Sequence, residues 1–107
     1  MIYKGKEMYV AMNRFLIAKG KEQQFIDIWK NRDTHLNDVT GFKQFNLLQG
    51  ESSEEATLFA SHSIWESEQA FRNWTTSEAF RKAHAHAGEN KEIYLGAPQF
   101  EGFEMVL

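Results

Sequence analysis

Residues 65–86 read WESEQAFRNWTTSEAFRKAHAH, and the reading of this stretch decides the fold. Ala70, Phe71 and Trp74 recur at helical spacing and form the inward side of a short helix, for which Ser67 is the expected N-cap. Thr75 followed three residues later by Glu78 has the form of a capping box. The spacing therefore predicts a second helix that restarts at the two threonines and ends at Gly88. On it Phe80, Ala83, His84 and Ala87 share an apolar face, while Glu78, Arg81 and Lys82 remain in water. In one unbroken helix the positions of Trp74 and His84 would differ by about 80 degrees, at roughly 100 degrees per residue. A bend at Thr75-Thr76 turns both side chains toward a common cavity. His86, about 200 degrees around the same helix from His84, cannot share a metal with it and reads as a surface residue.

Upstream of this stretch, Thr57 to Trp65 (TLFASHSIW) reads as a strand. Its two faces carry Leu58, Ala60, His62 and Ile64, and Thr57, Phe59, Ser61, Ser63 and Trp65. Gly41 opens an earlier strand, FKQFNLLQG, that Gly50 closes, and the acidic cluster Glu51 to Glu55 is an exposed loop. Lys21 to Asn31 is an amphipathic helix with Phe25, Ile28 and Trp29 inward, and Arg32 to Thr40 is a polar connection. The first strand is Met8 to Ile17, with Tyr9, Ala11, Asn13, Phe15 and Ile17 on one face, so an amide sits among apolar neighbours. Residues 1–7 read as an N-terminal extension and 8–107 as the domain. Downstream, Gly88 to Gln99 holds two glycines and the only proline and is expected to be a loop free enough to act as a flap. The final stretch FEGFEMVL is the fourth strand.

The order strand, helix, strand, strand, helix pair, strand is that of a ferredoxin-like βαββαβ α+β fold, with helices on one face of an antiparallel sheet. The opposite sheet face is also apolar, in residues such as Val10, Met12, Leu58 and Ile64. A second copy covering it, in a dimeric α+β barrel, is the expected remedy, because 107 residues supply only one modest core. The composition, 42% hydrophobic and 14% aromatic, fits a folded globule, and the rings suit the lining of a flat ligand's pocket. A net charge of -3 and the lack of a basic block argue against a nucleic-acid partner. No apolar run suits a membrane span, and MIYKGKE lacks the apolar core of a secretory signal. Without cysteine there is neither disulfide nor thiolate chemistry, a usage compatible with a reducing cytoplasm.

Chemistry then rests on a few side chains. A neutral imidazole on an apolar wall is either satisfied by hydrogen bonds within the core or offers a lone pair to a metal centre such as heme iron, and His84 is in that position. Trp74 either packs or presses on a flat ligand. The Asn13 amide either bonds neighbouring backbone or donates to a bound oxygen species or an enolate. His35 lies in a loop and His62 on a strand, without zinc-ligand spacing. Arg14 and Lys43 have a solvated strand face as their default. No nucleophile elbow, phosphate loop or dinucleotide fingerprint occurs, so there is no flavin or NAD site.

Asn13, the run WESEQAFRNW ending at Trp74 and SEAFRKAH ending at His84 together resemble the IsdG-type heme-degrading monooxygenases of the antibiotic biosynthesis monooxygenase superfamily. The likeness spans nearly the whole domain from Met8 onward. It implies a dimeric ferredoxin-like fold and a cytoplasmic enzyme for which heme is both substrate and cofactor. Oxygen- and reductant-dependent cleavage at a meso carbon would release iron and a bilin. By the same resemblance His84 is the axial ligand of the heme iron, Trp74 pushes the porphyrin out of plane, and Asn13 hydrogen-bonds the distal oxygen species. Dioxygen and an electron-donating reductase are the further partners implied. The superfamily also contains cofactor-independent oxygenases of quinols and phenols, and heme binding without turnover is a third possibility, so the fold alone does not choose the reaction.

Overall fold

In a computed structural model of the chain, residues 8–32, 35–85 and 90–107 are described. The elements are β1 (Tyr9–Ala18), α1 (Glu22–Asn31), β2 (Phe42–Ser52), β3 (Ala56–Trp65), α2 (Glu68–Thr75), α3 (Glu78–Ala83) and β4 (Gln99–Glu104). Short 3-10 turns at Leu36–Asp38 and Lys91–Ile93 punctuate the connections. All strand pairs are antiparallel, and the sheet order β2-β3-β1-β4 is that of a ferredoxin-like α+β fold, as the element order implies.

Strand β3 shows how the sequence sets this arrangement. Thr57, Phe59, Ser61, Ser63 and Trp65 are buried, and every residue between them is less so, in strict alternation. Thr57 is fully buried because its hydroxyl donates to Glu22 Oε2 at 2.7 Å, which ties the start of α1 to the sheet. The indole N–H of Trp65 donates to the buried Ser63 hydroxyl at 2.9 Å. Helix α1 packs Phe25 against Phe59 and Phe15, with ring centroids 4.9 and 5.3 Å apart. At the other end Phe71 of α2 meets Tyr9 and Trp65 at 5.6 and 5.7 Å. The core is thus in two parts, one around Phe15, Ile17, Phe25, Phe59 and Ile93, the other around Tyr9, Ala11, Leu36, Trp65 and Phe71. Between them β1 and β3 place Asn13 directly opposite Ser61.

Several local expectations are corrected. Ser77, rather than Thr75, caps α3: its hydroxyl accepts from Phe80 N at 3.1 Å. Thr75 still belongs to α2, and its hydroxyl donates back to Arg72 O at 2.8 Å, as β-branched hydroxyls do at a helix end. Helix α3 ends at Ala83, with His84 as its C-cap. Residues 1–7 and 86–89, including His86, Ala87 and Gly88, lie outside the described residues, as do 33–34. The described part of the expected flap, 90–98, is pinned to the sheet: Ile93 is fully buried, Ile17 bridges Tyr94, and Leu95 N donates to Leu16 O at 2.8 Å. The last strand begins at Gln99 and stops at Glu104, leaving Val106 and Leu107 exposed beyond it. Among the described residues no helix is long and apolar enough to cross a membrane.

Candidate active site

A cavity of about 510 Å³ opens on the helix-covered face of the sheet, between the two halves of the core. Asn13 lines it from β1, Ser61 and Ser63 from β3, Trp74 from α2, and His84 from the end of α3. Strand register and the helix restart together bring the three candidate residues to one cavity. Trp74 and His84 have ring centroids 6.0 Å apart.

The break between α2 and α3 is what closes that distance. Ser77 N and Ser77 Oγ both donate to Trp74 O, at 2.9 and 2.6 Å, so the chain turns on one side chain before α3 begins. One turn later the imidazole Nδ1 of His84 lies 2.8 Å from Phe80 O. A carbonyl oxygen only accepts, so Nδ1 carries the proton and the neutral ring keeps its lone pair on Nε2. Burial pushes the His84 pKa below its ordinary value; the bond to Phe80 O acts the other way, and the positive charge of Arg32 adds to the lowering.

The Asn13 amide side chain makes no hydrogen bond to a described residue, and the buried indole N–H of Trp74 likewise has no partner among them. Such groups are usually satisfied in a finished interior, and here they border an open space.

Four contributors were not singled out as site residues from the sequence. Trp29 of α1 lines the cavity and stacks on Phe45 at 5.4 Å. The guanidinium of Arg32 lies 4.4 Å from the Trp29 ring centroid, and no described carboxylate pairs with it. Tyr94 lines the same end; burial raises its phenol pKa while Arg32 pulls it down. Phe100 of β4 stacks on Phe71 at 5.6 Å, with Arg72 lying over both rings. An arginine one turn beyond an inward tryptophan was the available signal for Arg32. Nothing local marks Tyr94, whose place depends on the pairing of 94–95 with β1.

The remaining candidates lie elsewhere. His62 is on the opposite sheet face, across from Met12 and Asn46, and His35 precedes the turn at Leu36. Arg14 pairs with Glu101 at 3.4 Å and Lys43 with Glu66 at 3.4 Å, both pairs exposed.

Fold and cavity define a ferredoxin-like protein with an aromatic-lined cavity beneath its helices. The chain belongs to the antibiotic biosynthesis monooxygenase family, whose model matches residues 8–86. It is 26% identical, over 79% of its length and 81% of the relative's, to a heme oxygenase (staphylobilin-producing) of Staphylococcus epidermidis. It is 27% identical to the heme-degrader MhuD from Mycobacterium tuberculosis, whose structure holds two hemes in its active site. That alignment covers 92% of this chain and 96% of the other, with a TM-score of 0.70. SnoaB, a cofactor-independent oxygenase from Streptomyces nogalater, shares the fold with a TM-score of 0.65 at 16% identity, over 91% of each chain. The fold is therefore shared by proteins of both chemistries raised by the sequence.

Proposed function

We propose that this protein is a heme-degrading monooxygenase of the IsdG type, in which heme is both substrate and cofactor. The observation that carries the reading is the state of His84: Nδ1 is engaged by Phe80 O, and Nε2 is left as a lone-pair donor in a cavity shared with Trp74 and Asn13. The residues present fit a porphyrin. Aromatic walls suit its faces, a neutral imidazole suits its iron, and the guanidinium of Arg32, which pairs with no described carboxylate, suits the carboxylates at its edge. The heme-degrading relatives support the same choice over the cofactor-independent one.

Bound heme supplies the oxygen-activating iron, with electrons from an external reductase or small reductant, and its own meso carbon is the oxidised centre. The chain's residues do the rest. His84 holds the iron through Nε2. Trp74, its ring 6.0 Å from that of His84, would press a bulky indole on a porphyrin held there. Asn13 offers its amide N–H groups to oxygen, with Ser61 opposite it on β3. The aromatic lining excludes bulk water, which strengthens those polar contacts. A homodimer in the cytoplasm completes the proposal, because Leu16, Leu48 and Phe103 are exposed on the strands of a single protomer.

Hemin titrated into the apoprotein is expected to give a stoichiometric Soret shift that decays under ascorbate or a reductase, with a bilin recovered by chromatography. His84→Ala is expected to lose that spectrum. A Soret band that persists under several electron donors leaves a heme-binding protein without turnover. Oxygen uptake with a quinol in metal-free buffer, and no hemin shift, replaces the reading with the cofactor-independent one.

A further inference from the structure

Phe80 touches both members of the Trp74–His84 pair. Its phenyl ring stacks on the His84 imidazole, with centroids 4.0 Å apart and planes 24° apart. The same ring also meets the Trp74 indole in a T-shaped contact, at 4.7 Å and 82°. Its carbonyl holds the imidazole Nδ1 at 2.8 Å and also accepts from His84 N at 3.1 Å. Its amide is held in turn by the Ser77 hydroxyl, whose proton goes to Trp74 O. Indole, phenyl and imidazole therefore form one packed cluster of three mutually touching rings, pinned at its base by Ser77.

We infer that Phe80 is a positioning residue that fixes the plane of the His84 imidazole and couples it to the Trp74 indole, so that the iron ligand's orientation and the pressure on the macrocycle are set by one side chain. The inference rests on the heme reading above. Its physical basis is direct. One hydrogen bond at Nδ1 fixes the tautomer and the direction of Nε2, but still permits the ring to rock about that bond. A phenyl face 4.0 Å away removes the rocking, because rotation would drive imidazole atoms into it. Since the phenyl also abuts Trp74, a shift of the indole against a bound ring is transmitted to the iron ligand. A residue that only filled space would not need the stacked geometry.

The test compares Phe80→Leu, Phe80→Met and Phe80→Tyr with the unaltered protein, each checked for folding by circular dichroism. In the apoprotein, long-range nitrogen-proton spectra of His84 should show Nδ1–H in all of them, because the accepting carbonyl belongs to the backbone. In the ferric hemin complex with cyanide, electron paramagnetic resonance reports the orientation of the imidazole plane. Phe80→Leu and Phe80→Met should alter or broaden the g values, with ring opening slowed about 10-fold, the lower end of what residues that orient a metal ligand contribute. Phe80→Tyr, which keeps the stack, should restore both. Wild-type g values and wild-type rates in the Leu and Met variants overturn the inference while leaving the heme reading intact, and Met alone decides if the Leu variant does not fold. Absence of a Soret shift in the unaltered protein removes both.

Discussion

The Nδ1 proton of His84 sits on a backbone carbonyl, which no side-chain substitution removes, so the variable property of this residue is its charge. Burial lowers its pKa, so the neutral ring persists below the ordinary histidine value of about 6.5. The sign follows from linkage: with a depressed folded pKa, stability is complete above the ordinary value and is lost as pH falls through the folded one. Hemin affinity should therefore stay flat from pH 8 to about 6.5 and weaken only on further acidification. Proton spectra of the His84 ring against pH check this, and a midpoint above the ordinary value contradicts it. Ser63 offers a second test. Its hydroxyl is the acceptor for the indole N–H of the fully buried Trp65, so Ser63→Ala leaves that donor unpaired. A loss of about 1–3 kcal/mol in denaturant unfolding is expected. Asn13, Trp74 and His84 were legible as isolated oddities, since each places a polar or bulky group on an apolar face. The meeting of Trp74 and His84 was legible in the bend expected between the two helices, whereas the arrival of Asn13 at the same cavity was not, because it depends on how β1 lies in the sheet beneath them.

At the scale of elements, strands were the plainest part of the sequence. Period-two burial in β3 follows its residues one for one: Thr57, Phe59, Ser63 and Trp65 each meet a ring or a hydrogen-bond partner, and Ser61 lines the cavity. Helix termini were harder. Thr75 and Ser77 are both competent caps two residues apart, and the choice fell to Ser77 because the Thr75 hydroxyl returns a bond to Arg72 O within α2. Leu36 and Ile93 were hidden for another reason: each lies in a short connecting segment too brief to show a helical or strand period, yet both are buried. Strand β4 carries a constraint that only packing exposes. Gly102 lies opposite Ala11, and a Cβ built there would fall 2.6 Å from Cζ of Tyr9, a ring itself wedged against Phe71. Gly102→Ala should cost about 1–3 kcal/mol by overpacking, read from thermal or urea unfolding.

For the whole molecule, one protomer covers only one side of its sheet. Leu16, Leu48 and Phe103 are between 43% and 50% exposed, more than a lone chain of this size usually leaves on its strands. Sedimentation or light scattering at micromolar concentration should report a dimer, and a monomer there removes the second copy from the proposal. The divided core has a consequence of another kind. Two core halves separated by a cavity of about 510 Å³ amount to an interior from which a piece is missing, and under the proposed function a planar ligand is that piece. Whatever fills the gap stabilises the folded state by about 2.7 kcal/mol at a free concentration 100 times its Kd. Thermal-shift measurements across porphyrins and quinols would therefore rank the candidates before any turnover is followed. In a living cell the same linkage makes supply govern survival: a chain emptied of ligand unfolds more often and is degraded sooner. Such a protein would accumulate when its substrate is abundant and be cleared when it is gone, with no dedicated sensor.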